Sequence, residues 1–272
     1  MSYYPLPSTD EERARLAAQA EGINPLTRRL FTAAGLAPGM RVLDVGSGGG
    51  DVALLVREFV GETGQVLGYD RDAAQAAYAQ RRAEEAGYAN VQIVQAGTDT
   101  FQSDGLFDAA VGRYTLMYHP DMNAALATIS RHVRSGGVLA FHEMHLWDDP
   151  GAWPRFWPPM EDPSFQHKIH TIPRTMAASG VNMFAGTTLV DGLSRLGETQ
   201  AWAEQNVTFG ASAFDGPLAL LSSILPGAES LGVIGPGEID MEAMRRQARE
   251  HAARHVPIVM TPSQVLAWAR LA

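Results

Sequence analysis

R-V-L-D-V-G-S-G-G-G-D, running from Arg41 to Asp51, reads as an apolar strand closed by an acid, then a glycine turn, then the start of a helix. Glycine carries no side chain and accepts positive φ, so such a turn is tight and lets a ligand approach the backbone closely. Further on, a second strand, Q-V-L-G-Y-D, ends in Asp70. A carboxylate there is placed to accept hydrogen bonds from both hydroxyls of a ribose. The two stretches together predict a nucleoside-bearing ligand.

Outward from this pair, apolar runs and helical periods alternate. Strands are expected near 41–45, 65–69, 91–95, 107–111 and 137–143, with helices over 51–60, 72–86 and 121–133. That rhythm implies a Rossmann-like, doubly wound α/β fold: a mostly parallel, seven-stranded sheet with ligands at the carboxyl ends of its strands. Ahead of the sheet, Ser8-Thr9-Asp10-Glu11-Glu12 is a cap-and-acid helix start. It leads into one amphipathic helix through Leu16 and Ala20 and a second from Leu26 to Ala34.

After His142 the rhythm breaks. Residues 147–173 hold Trp147, Trp153, Phe156, Trp157 and six prolines, which predicts an irregular cover over the sheet edge. A helix through Leu189, Leu193 and Leu196 follows, then a strand around 201–208, a mostly helical stretch to about 254 and a last strand within 256–268. The expected organisation is a single domain: a helical lid (1–38), a cofactor-binding core (39–146), a cover and substrate region (147–200), and C-terminal strands with a helical insert (201–272).

Composition narrows the function. The chain has 272 residues, 46% of them apolar and 19% charged, and a formal net charge of -9. Such a balance argues against the nucleic-acid backbone as a partner, because that binding needs clustered Lys and Arg. Without any cysteine, thiolate metal sites, disulfides and cysteine nucleophiles are excluded. No apolar run approaches the ~20 residues of a membrane span, and the expectation is a cytoplasmic protein acting on a small molecule, with a homodimer as one assembly.

Four pieces in order, V-L-D-V-G-S-G-G-G-D, G-Y-D-R-D, F-D-A-A-V-G-R-Y-T-L-M-Y-H-P-D and R-S-G-G-V-L-A-F-H-E, resemble a class I S-adenosylmethionine-dependent methyltransferase. The likeness is to the small-molecule branch related to the ubiquinone/menaquinone C-methyltransferases and covers roughly residues 10–145. A dinucleotide-binding protein competes, since Gly48-x-Gly50-x-x-Ala53 satisfies its template as well. Asp51 separates the two: a carboxylate at a helix start repels a pyrophosphate, whereas S-adenosylmethionine carries no phosphate and two cationic centres. Asp51 reads either as the helix cap or as a ligand contact.

The resemblance implies S-adenosylmethionine as cofactor. Gly46, Ser47 and Gly48 would line its methionyl part, Asp70 would hold the ribose hydroxyls and Arg71 would flank the adenine. Asp44 would orient the glycine loop. After strand three the family has a Gly-Asp pair whose acid meets the adenine; here the text is A-G-T-D, so either Thr98 substitutes or Asp99 takes over. Arg113 resembles the position that closes on the methionyl carboxylate, and Gln19, with Tyr3 and Tyr4, would belong to the lid.

Methyl transfer is an in-line displacement, so alignment and exclusion of water matter most, and a base is needed only where the nucleophile must lose a proton. Candidates at the ends of strands four and five are Tyr118, His119, His142, Glu143 and His145, of which Tyr118, Glu143 and His145 are the expected catalytic set. H-E-M-H has ligand-type residues, but neighbours on a strand point to opposite faces, and no metal is expected. Trp147, Trp153, Phe156, Trp157, Met160, Met183 and Phe184 suggest an apolar, flat acceptor, such as a secondary metabolite. Two rival readings remain: a non-methyl reaction such as a cyclisation on the same fold, and a non-catalytic binding subunit.

Overall fold

A computed structural model describes residues 6, 9–145 and 154–272. Tyr3, Tyr4, Trp147 and Trp153, singled out above, lie outside the described residues. The chain opens with α1 (Asp10–Ala34), where one continuous helix replaces the two expected. Thr9 caps its start by accepting from the Glu12 N–H at 3.2 Å, and Gly35 ends it in the left-handed region at φ 81°. Pro25 lies inside it, yet the stripe Ile23, Leu26, Leu30, Phe31 stays buried across that point, and packing carries the helix through.

The alternating units follow: β1 (Arg41–Val45), α2 (Asp51–Val60), β2 (Gln65–Asp70), α3 (Ala73–Glu85), β3 (Val91–Gln95), β4 (Phe107–Arg113), α4 (Met122–Ser130) and β5 (Val133–His145). Strands β1 to β5 are parallel, in the order β3-β2-β1-β4-β5. Beyond β5 come β6 (Arg155–Trp157), α5 (Pro163–Ile169), α6 (Thr171–Ala178), α7 (Ala185–Ser194), β7 (Gly197–Phe209), α8 (Asp215–Ser230), α9 (Met241–Arg254) and β8 (Ile258–Leu271). Strand β8 runs antiparallel to β5, β6 and β7. The sheet therefore has eight strands, β6 being a three-residue addition to the seven expected.

The cover is more regular than its prolines suggested. Pro163 is in the first turn of α5 and Pro173 in the first turn of α6, where the missing N–H has no helical acceptor to lose. Two apolar layers sandwich the sheet, as strand alternation dictates. Val42, Ala109, Val111 and Ala140 pack toward α1 and α2, while Leu43, Val45, Ala110 and Phe141 pack toward the opposite layer with Leu126 and Leu189. Among the described residues, no helix is long and apolar enough to cross a membrane.

Candidate functional site

The glycine turn between β1 and α2 is built by local hydrogen bonds. Ser47 donates its N–H to the Tyr69 carbonyl at 2.8 Å and its hydroxyl to the Asp44 carbonyl at 3.2 Å. Gly46 has φ 63°, and a Cβ there would stand 2.1 Å from Thr115 Oγ1. A methyl group cannot fit between that turn and the end of β4. Gly50, not Asp51, caps α2; Asp51 is the first helical residue and pairs with Arg82 at 2.9 Å.

Asp70 stands at the end of β2 with one backbone donor on each carboxylate oxygen: Gly48 N–H at 2.8 Å and Asp72 N–H at 2.9 Å. Each oxygen keeps a further acceptor site. Burial raises its pKa, with those two N–H groups acting against the shift. Beneath the turn lies Asp44, 1% exposed, and neither of its carboxylate oxygens accepts a hydrogen bond. Burial pushes its pKa up to about 7, against the pull of Ser47 and Arg113. The Asp44 carbonyl, by accepting from the Ser47 hydroxyl, orients the glycine loop.

Arg113 ends β4. Its Nη1 donates to Asn24 Oδ1 at 2.8 Å and Thr27 Oγ1 at 3.1 Å, both on α1, so its charge is aimed by neutral groups. Thr27 Oγ1 is also 3.0 Å from His142 Nδ1, and His142 Nε2 is 3.0 Å from Gln264 Oε1 on β8. His142 is fully buried, and that burial drops its pKa to about 3, so the ring is neutral. Tyr114 donates its hydroxyl to the same Gln264 oxygen. A buried polar chain thus links α1, β4, β5 and β8. Sequence reading found Arg113 but gave no role to Tyr114, its neighbour in the same quoted piece, and missed Asn24, Thr27 and Gln264, which belong to no motif.

Of these groups, Ser47, Asp70, Arg113, Tyr114 and Gln264 border one cavity of about 1040 Å³. Gln19, Gly46, Ser47, Gly48, Asp70, Arg71, Thr98, Asp99, Arg113 and Tyr118 all line it, so the expected cofactor set converges. Thr98 is half-buried; its hydroxyl takes the Tyr69 phenol at 3.1 Å and lies 3.3 Å from His119 Nε2, while Asp99 is exposed. Gln19 Oε1 accepts from Arg15 at 3.1 Å. Arg15 pairs with buried Glu12 at 2.6 Å, and Ser223 of α8 donates to the same carboxylate, tying α1 to α8 over the cavity.

Two expected catalytic residues stand elsewhere. Glu143 is fully buried and accepts the N–H groups of Thr115, Leu116 and Met117 at 3.0, 2.8 and 3.4 Å. Burial pushes its pKa up to about 7 against those donors. It positions the short 3-10 turn (Leu116–Tyr118) that carries Tyr118 and does not border the cavity. His145 is 3% exposed, its ring 5.8 Å from that of Phe184, and burial lowers its pKa. Strand alternation explains both: Met144 faces the cavity, so Glu143 and His145 face the other layer.

The aromatic cover also departs from expectation. Phe156 is core, its ring packed on Phe165 and Phe214, and Trp157 is 66% exposed. Met183 and Phe184 line a separate groove of about 450 Å³. Leu6, Ile23, Met144, Met176 and Leu220 supply aliphatic lining to the large cavity instead, beside polar groups such as Asn206, Asp215 and Gln264.

Residues 36–176 match the family model described as methyltransferase domain. A 2-phytyl-1,4-naphtoquinone methyltransferase of Synechococcus elongatus is 39% identical over 110 residues, 40% of this chain and 47% of that protein. Aklanonic acid methyltransferase DauC of Streptomyces sp. strain C5 is 33% identical over 123 residues, 44% of this chain and 56% of that protein. The chain spans about half the length of the curated relatives it matches. Geranyl diphosphate C-methyltransferase of Streptomyces coelicolor A3(2), solved with Mg2+, geranyl diphosphate and S-adenosyl-L-homocysteine, superposes with a TM-score of 0.54 at 18% identity, over 97% of this chain and 86% of that one. The glycine turn, the acid ending β2 and the matched span of more than half the residues lead to one conclusion: this chain belongs to the methyltransferase-domain family.

Proposed function

We propose that the protein transfers a methyl group from S-adenosylmethionine to a small, largely apolar acceptor. The observation that carries this reading is one cavity that brings Gly46 and Asp70 together with the aliphatic side chains of Ile23, Met144, Met176 and Leu220. About 1040 Å³ is the upper end of the range for small-molecule sites, which suits two ligands side by side.

The residues at the first pole fit the donor group by group. The spare acceptor sites of Asp70 suit the two ribose hydroxyls. Arg113, held by Asn24 and Thr27, suits a carboxylate. Asp99 is the better partner for the adenine amino group, since the Thr98 hydroxyl is taken up by Tyr69 and His119. When bound, the donor supplies an electrophilic methyl on a sulfonium. The chain's own work is to hold acceptor and donor in line and to exclude water under α1 and α8. Tyr118 is the expected catalytic group that borders the cavity, and Glu143 serves by fixing its turn.

The acceptor reading draws on Ile23, Met144, Met176 and Leu220, and on two relatives whose names specify a phytyl-naphthoquinone and aklanonic acid. Calorimetry of the purified chain is expected to give dissociation constants of ~1–100 μM for S-adenosylmethionine and S-adenosylhomocysteine, that is, about 5–8 kcal/mol. Label from methyl-labelled S-adenosylmethionine should then pass to apolar, oxygen-bearing ring compounds in a small-molecule extract. Heat from neither ligand would refute the donor; transfer only to small, highly charged acceptors would refute the acceptor class.

A further inference from the structure

Tyr114 borders the cavity and is built in an unusual way. It is half-buried, directly after β4, between Arg113 and the Thr115 that packs on Gly46. Its φ is 52°, the left-handed region that a bulky residue seldom occupies, and among the described residues it is the one non-glycine with positive φ. Its N–H donates to the His142 carbonyl at 2.9 Å and its ring meets the His142 ring edge-on at 5.2 Å.

The hydroxyl proton is accounted for. Gln264 Nε2 donates to the Pro262 carbonyl at 3.1 Å, and a proline carbonyl only accepts, so the Gln264 oxygen must face Tyr114 and His142. His142 therefore carries its proton on Nε2, and its Nδ1 accepts from Thr27. Tyr114 donates to an oxygen whose direction is set from the far side. Its own lone pairs accept from no donor among the described residues, and both Tyr114 and Gln264 border the cavity.

We propose that Tyr114 is a specificity-determining residue: its phenol oxygen, with the proton locked onto Gln264, presents lone pairs to the sulfonium of the methyl donor. The inference rests on the donor reading above. A sulfonium spreads positive charge over its attached carbons, whose hydrogens make C–H···O contacts with such an oxygen. The neutral thioether left after transfer offers no comparable charge. A fixed dipole in a poorly hydrated site acts more strongly than in water, so the cavity prefers fresh donor to spent product. The φ of Tyr114 and the Thr27–His142–Gln264 chain aim this one oxygen.

The test is calorimetry on the full chain with S-adenosylmethionine and S-adenosylhomocysteine as probes. Tyr114→Phe is expected to weaken binding of the sulfonium about three- to tenfold, while the thioether stays within about twofold, on the scale of one hydrogen bond. Gln264→Leu frees the phenol proton without altering the ring, and it too should shrink the preference; it carries the test should Tyr114→Phe fail to fold. An unchanged ratio of the two constants in folded variants, including equal loss of both, would make Tyr114 a packing residue and overturn the proposal alone. Wild-type protein binding neither probe would overturn the donor reading and this proposal together.

Discussion

The two halves of the cavity are assembled from different distances along the chain. At the glycine turn, Ser47 bonds Asp44 and Tyr69, and Gly48 and Asp72 bond Asp70, each across fewer than 25 residues and mostly through backbone groups. Across the cavity, Tyr114 meets Gln264 from 150 positions away, Thr27 meets His142 from 115, and Glu12 meets Ser223 from 211. The near half is a local motif whose geometry any chain with that spacing can adopt. The far half exists only once α1, α8 and β8 have come together, and its lining can change without disturbing the motif.

This contrast can be broken at the motif. Gly46→Ala brings a Cβ against Thr115 at a positive φ, and donor affinity measured by calorimetry should fall by about a hundredfold or more. Asp70→Ala leaves the Gly48 and Asp72 N–H groups without their carboxylate and removes the ribose partner. The expected loss is ~1–3 kcal/mol in donor affinity, and unchanged binding would mean another acid holds the ribose.

Asp44 sharpens the comparison through pH. Its folded pKa of about 7 lies above the usual 3.8, so the folded state holds the proton more tightly. Stability contributed by this group is full below pH 3.8 and is lost as pH rises through 7. Glu143 acts with the same sign, whereas His142, depressed to about 3, costs stability as pH falls below its usual 6.5. The difference between wild type and Asp44→Asn isolates the one group: urea unfolding of the free protein at pH 5 and pH 8 should differ by on the order of 2 kcal/mol more in wild type than in the variant.

Glu143→Gln keeps one acceptor oxygen for Thr115 and Leu116 but turns an amide toward Met117. It should cost about 1 kcal/mol of unfolding free energy and leave donor affinity within about twofold. A large loss of donor affinity would instead tie Glu143 directly to the site. The smallest effect is expected at the far half, where Leu220→Ala should leave the donor constant unchanged within error while weakening an apolar acceptor such as 1,4-naphthoquinone a fewfold.

The same division explains what could be read in advance. The places of Gly46, Asp70 and Arg113 beside one cavity were legible because they follow from spacing along one or two strand ends. Glu143 and His145 were misplaced because the alternation of β5 says that neighbours diverge, not which of them faces the ligand; that depends on Met144 meeting the cavity. Phe156 and Trp157 looked like an acceptor wall, yet their strand pairs with β8, where one fills the core against Phe214 and the other is on the surface, while Met176 and Leu220 line the cavity. Gln264 gave no sign, since a glutamine in a strand has no local signature.

Strand β8 is bonded along both edges, to β5 and β6 on one side and to β7 on the other. During synthesis, therefore, the cavity wall that includes Thr261, Pro262 and Gln264 must wait until residues 258–271 have left the ribosome, while β1 to β4 and their helices can already assemble. A truncation upstream of Ile258 would strand three sheet edges at once, an invitation to intermolecular pairing, and such a product should be recovered in inclusion bodies rather than as a weaker enzyme.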